Sequence, residues 1–96
     1  MEITDAALEA LSGMRKADRR FVLDGIRTHL LDNDPVEGTR NKFILRRPSA
    51  HAERELRLGE WRVFYTVTQK AGRATVNLIG EKRNNKLYIG GKEFEL

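Results

Sequence analysis

The 96-residue sequence has no cysteine, which excludes disulfides, thiolate metal sites and cysteine nucleophiles. It has only two histidines, His29 and His51, and neither has a second histidine three or four residues away to make a metal-ligand pair. Both read as structural residues, with His51 nearer to function because it lies on the loop leading into the arginine-bearing segments. Ser12 and Ser49 lack the glycine-flanked elbow of a serine hydrolase. No glycine-rich phosphate loop is present, and Gly90-Gly91 reads as a turn. Long apolar runs are also missing. Met1 to Leu11 carries three acids, so neither a signal peptide nor a membrane span is expected and the cytoplasm is the expected location. No cofactor and no metal are expected.

What is present is charge. One third of the residues are charged and 40% are hydrophobic, the balance of a soluble globular chain of one domain, 1–96. The net charge of +4 is uneven: residues 1–35 hold five Lys/Arg against seven Asp/Glu, and residues 36–96 hold thirteen against seven. A basic second half points to an anionic partner, most commonly nucleic acid, with a merely solvated basic surface as the alternative. Twelve of the eighteen cations are arginine, which favours planar, bidentate contacts with phosphate.

Along the chain, Met1 to Ile3 has the makings of a short strand. A helix follows from Thr4 or Asp5, with Ala7, Leu8, Leu11 and Met14 as its apolar stripe and Arg15 and Lys16 complementing its C-terminal dipole. A second helix runs from Ala17 or Asp18 to about Leu31. Its apolar face is Phe21, Val22, Ile26 and Leu30, with Leu23 at the margin, and Asp32-Asn33-Asp34-Pro35 stops it. Strands are then expected at Lys42–Arg46, Ala52–Leu58, Trp61–Gln69 and Ala74–Gly80, with a last small hairpin from Leu87-Tyr88-Ile89 to Phe94-Glu95-Leu96 around Gly90-Gly91. Helices followed by closely spaced strands predict an α+β domain. A helical hairpin would pack on one face of a mostly antiparallel sheet of four to five strands.

The stretch Glu53–Val67 organises this plan. Leu56 and Leu58, then Trp61, Val63, Tyr65 and Val67, alternate with a period of two around Gly59-Glu60, as in a tight hairpin with one buried face. Glu55, Arg57 and Arg62 fall on the other parity. Two arginines on neighbouring strands repel unless an anion joins them. With Lys82 and Arg83 after the last long strand, and Tyr88 beyond, they make a set suited to cleavage of RNA by its own 2′-hydroxyl. Such cleavage needs positive charge at the phosphate and groups that move protons, and arginines supply the charge without a metal.

The segment Glu55-Leu56-Arg57-Leu58-Gly59-Glu60-Trp61-Arg62-Val63-Phe64-Tyr65 resembles the Leu-Arg-apolar-Gly-x-aromatic-Arg-apolar-apolar-Tyr signature of the RelE/ParE toxin superfamily. Members are the toxins of bacterial type II toxin–antitoxin pairs. The helical hairpin before it, Ile79-Gly80-Glu81-Lys82-Arg83 after it, and Tyr88 five residues on extend the resemblance over nearly the whole chain. It implies a metal-independent endoribonuclease cutting messenger RNA at the ribosome, held in check by a cognate antitoxin. Operator DNA would be bound only through that complex.

In these terms Arg62 matches the arginine that holds the scissile phosphate. Arg57 matches a basic strand position, Lys82 falls where an arginine or histidine is usual, and Tyr88 falls on the C-terminal aromatic. Glu55, Arg83, Arg46 and Arg47 would flank the RNA. Glu55 is acidic where the RNA-cleaving branch carries a base, and the tail Lys92-Glu93-Phe94-Glu95-Leu96 is acidic-apolar where many members have a helix. Two alternatives remain open: the ParE-like branch, which blocks DNA gyrase without catalysis, and an inactive member that binds only antitoxin.

Overall fold

A computed structural model describes residues 1–46, 52–68 and 72–95. Arg47, His51 and most of the loop and turn expected at 48–52 and 70–73 fall outside the described residues. Among the described residues, seven strands form one sheet: β1 (Glu2–Ile3), β2 (Lys42–Ile44), β3 (Arg54–Leu58), β4 (Trp61–Val67), β5 (Ala74–Arg83), β6 (Lys86–Ile89) and β7 (Lys92–Glu93). The order is β2-β3-β4-β5-β6-β7, all antiparallel, while β1 runs parallel beside the first half of β5. Helices α1 (Asp5–Ser12) and α2 (Lys16–Ile26) pack on one face, so the α+β architecture is as expected. The strand count exceeds the expected four to five because β1 and β7 are two-residue ladders.

Thr4 caps α1, its hydroxyl accepting from the Ala7 N–H and donating to the Asn77 carbonyl, which ties the helix start to β5. The other end of α1 is not closed by Arg15 and Lys16. Arg19, one turn into α2, donates instead to the carbonyls of Leu11, Ser12 and Met14 at 2.9–3.2 Å, using its planar fork to satisfy the orphan acceptors of the helix end. Helix α2 begins at Lys16, with Asp18 inside its first turn where the charge favours the dipole. Its last turn widens to a π-turn, Arg27–Leu31, marked by the Asp32 N–H bonding to the Arg27 carbonyl at 2.8 Å.

Ala7, Leu11, Val22, Ile26 and Leu30 meet Leu56, Leu58, Val63, Tyr65, Val76 and Ile79 in the core. Leu8, Phe21 and Leu23, assigned to the apolar stripes, are exposed. Two short helices on one face of the sheet bury a thinner stripe than the periodicity allows. Val76 and Ile79 reach the same face although three apart. The register of β4 and β5 shifts between Phe64 and Tyr65, leaving Asn77 as the extra residue of a bulge.

Tyr65 is fully buried and donates to the Pro35 carbonyl at 3.1 Å. Burial, helped by Glu53 and opposed by Arg54, pushes its phenol up from 10.0 to about 12. The folded state therefore holds the proton more tightly than the unfolded chain. This contribution is complete below pH 10, the unfolded value, and is lost as the pH rises through about 12. Urea midpoints at pH 9 and pH 11.5 should show an alkaline loss of roughly 2 kcal/mol that Tyr65→Phe lacks. That variant should be about 1 kcal/mol less stable at pH 9, because the Pro35 carbonyl loses its donor. Among the described residues, no helix is long and apolar enough to cross a membrane.

Candidate functional site

The site lies on the sheet face away from the helices. Directly paired residues share a face, so the register alone assembles it. Arg57 pairs with Arg62 and Arg62 with Gly80. Phe43 pairs with Glu55, Glu55 with Phe64, and Lys82 with Leu87. The β3–β4 hairpin is closed by Gly59 at φ +60°, a left-handed conformation that a two-residue turn needs and that glycine adopts without strain. Gly80 has a different reason. A Cβ there would lie 2.8 Å from the Tyr88 carbonyl oxygen and 2.9 Å from Leu87 Cδ1, so only glycine lets β6 approach this closely.

The expected arginine couple is present, and the anion that joins it is internal. Glu55 accepts from Arg57 Nε at 2.7 Å and stands 3.9 Å from Arg62 Nε through the same oxygen, Oε2. Arg57 is half exposed, with its guanidinium 4.8 Å from the Phe43 ring. Arg62 and Glu55 are shielded, their side chains 14% and 11% exposed. Arg62 Nη1 donates to the carbonyls of Gly59 at 2.6 Å and Trp61 at 3.0 Å, which locks the guanidinium across the hairpin turn. Its Nε is buried and has no hydrogen-bond partner among the described residues. Burial, with repulsion from Arg57, lowers the Arg62 pKa against the opposing pull of Glu55.

A concavity of about 290 Å³ opens beside this group. It is lined by Glu55, Arg62, Phe64, Lys82, Asn85, Lys86 and Leu87, with Glu93, Phe94 and Glu95 from the last segment. Four site residues expected from the sequence, Glu55, Arg57, Arg62 and Lys82, thus share one face. Tyr88 does not join them. It pairs with Glu81, which pairs with Trp61 and through it Leu58, placing it on the helix side of the sheet. Arg83 lies there too, bonded to Glu81 at 2.9 Å and with its guanidinium 5.2 Å from the Tyr88 ring centre. Arg46 is exposed beyond the end of β2, and Arg47 lies outside the described residues.

Asn85, Lys86, Glu93 and Glu95 were not anticipated as site residues. A signal for the first two exists in the sequence. Asn84 and Asn85 have φ of 50° and 65°, a pair of left-handed residues that closes β5 on β6, and asparagine tolerates that conformation better than most residues.

The arrangement can hold an anion by charge-assisted hydrogen bonds, provided the anion replaces or shares Glu55 as the partner of the arginines. Among the described residues, no cluster of His, Asp and Glu can hold a metal ion. No protein-family model, curated protein or solved structure matches the chain.

Proposed function

We propose that the chain is a toxin of the RelE/ParE type that cleaves messenger RNA at the ribosome without a metal, neutralised by a cognate antitoxin. The observation that carries this reading is Arg62: a guanidinium locked in place by the hairpin turn, its Nε unpartnered among the described residues, flanked on one sheet face by Arg57 and Lys82. Preorganised donors of this kind favour the negative charge that develops on a phosphate under attack by a 2′-hydroxyl. Arg62 is assigned to the scissile phosphate, Arg57 to the adjoining backbone, and Lys82 to the leaving oxygen or the phosphate.

Tyr88, facing away, has no part in this chemistry. Glu55, the nearest carboxylate, holds the arginines until RNA arrives. Induction of the wild type should stop growth and leave cut transcripts when RNA 5′ ends are mapped, and Arg62→Ala should leave transcripts whole.

One observation favours the second reading, a ParE-like protein that blocks DNA gyrase or binds only antitoxin. Glu55 is already paired with both arginines and offsets one of their two charges. Inhibited supercoiling with intact messenger RNA would select the gyrase reading, and neither effect would select the inactive one.

A further inference from the structure

Arg57 has a neighbour that the phosphate chemistry does not use. Its guanidinium carbon lies over the Phe43 ring, 4.8 Å from the centroid, on the sheet face that carries Arg62. Phe43 is half-buried and lies outside the core beneath the helices. Its strand, β2, is the outer strand of the described sheet, yet it is firmly held. Beyond the register pairs with β3, the Arg57 N–H donates to the Asn41 carbonyl at 2.7 Å and the Leu45 N–H to the Glu53 carbonyl at 3.0 Å. The guanidinium is fixed as well. Its Nε donates to Glu55 at 2.7 Å, the one side-chain hydrogen bond of Arg57 among the described residues. With the ring beneath and the carboxylate at one edge, the 48% exposure of this side chain falls on its outer face and its Nη edge. Phe64, the other phenylalanine that the strands place on this face, is 1% exposed and offers no stacking surface.

We propose that Arg57, backed by Phe43, is a stacking shelf for the nucleobase next to the phosphate held at Arg62, so that the site takes single-stranded RNA by base and backbone together. This inference rests on the phosphate-binding reading of the Arg62 face. Unpaired bases stack on arginine planes and on aromatic rings, and they do so with little regard to sequence because every base has a π face. Arg57 and Arg62 are direct partners on neighbouring strands, about 5 Å apart across the ladder, so shelf and phosphate site adjoin. The guanidinium serves twice: its Nη edge points to the backbone and its plane carries the base. A lysine would keep the charge and lose the plane. A duplex keeps its bases stacked on one another and has none to offer the shelf.

The test uses the full chain and two strands that it cannot cleave, a 2′-O-methyl oligoadenylate and an abasic strand with the same number of phosphates, with binding measured at low salt. The wild type should bind the base-bearing strand about tenfold more tightly than the abasic one. Phe43→Leu and Arg57→Lys should each cut that ratio to less than about threefold, and Phe43→Trp should keep it. Phe43→Leu should leave affinity for the abasic strand within about threefold of the wild type, because the phosphate contacts remain. The shelf is refuted if the wild type shows no preference for the base-bearing strand, or if Phe43→Leu keeps the preference or weakens both strands alike. Cleavage of ordinary RNA is read separately. The preference with no cleavage would remove the ribonuclease reading and keep the shelf, and cleavage without the preference would do the reverse.

Discussion

Replacing Lys42 by methionine is expected to lower the unfolding free energy by about 2 kcal/mol, the cost of leaving two part-buried carbonyls without their donor. Lys42 is 1% exposed and pairs with Leu56, so its side chain points to the helix side of the sheet. Its ammonium donates to the His29 carbonyl at 2.8 Å and the Asp34 carbonyl at 2.7 Å. The π-turn at the end of α2 leaves such acceptors facing the sheet, and no shorter donor on β2 would reach them. Methionine keeps the length and apolar character of the stem, so the loss reads the two hydrogen bonds and not a cavity. Part of the loss is returned because a charge is no longer buried. For a domain of this size the change corresponds to a fall in Tm of roughly 8–16 °C, measurable by calorimetry. Lys42→Ala should lose more, because a cavity is added to the unpaired carbonyls.

Lys42 also marks where sequence reasoning stops. The start of β2 near Lys42 is legible, but along one face of the strand the usual preference is reversed: Lys42 is buried while Ile44, two residues on, is 59% exposed. Strand periodicity carries no information about a donor required by a helix end thirteen residues earlier. The β3–β4 hairpin was legible because Leu56, Leu58, Val63 and Tyr65 obey one period around a glycine turn. The last hairpin around Gly90-Gly91 is present as expected, but between Gly80 and Leu87 the reading failed, since Glu81 to Lys86 looks polar and unpatterned. The Asn84-Asn85 turn extends β5 to Arg83 and fixes the register of β6, which sends Lys82 and Tyr88 to opposite faces. A one-residue change in that turn would reverse the outcome, so Tyr88 could not be placed without it.

The largest effect on chemistry is expected at Arg62, and conservation of charge should not prevent it. Arg62→Lys should reduce single-turnover cleavage of RNA by about 10²- to 10³-fold, comparable with removing one preorganised donor from an oxyanion site. An ammonium in its place has no second nitrogen to hold the Gly59 and Trp61 carbonyls while another donor faces the phosphate. The fold should survive, because the turn depends on Gly59 and on the apolar row beneath it. Glu55→Gln separates two roles of the carboxylate that partners Arg57 and Arg62. As a resident counter-ion, Glu55 competes with the incoming phosphate, so Glu55→Gln should tighten binding of a 2′-O-methyl RNA strand several-fold and leave the cleavage rate within about tenfold of the wild type. A fall of 10²-fold or more at unchanged affinity would instead make Glu55 the base that takes the 2′-hydroxyl proton. The counter-ion role follows from the distances: Glu55 Oε2 is already bonded to Arg57 at 2.7 Å and stands 3.9 Å from Arg62, so an arriving phosphate meets two arginines that need only exchange one anion for another.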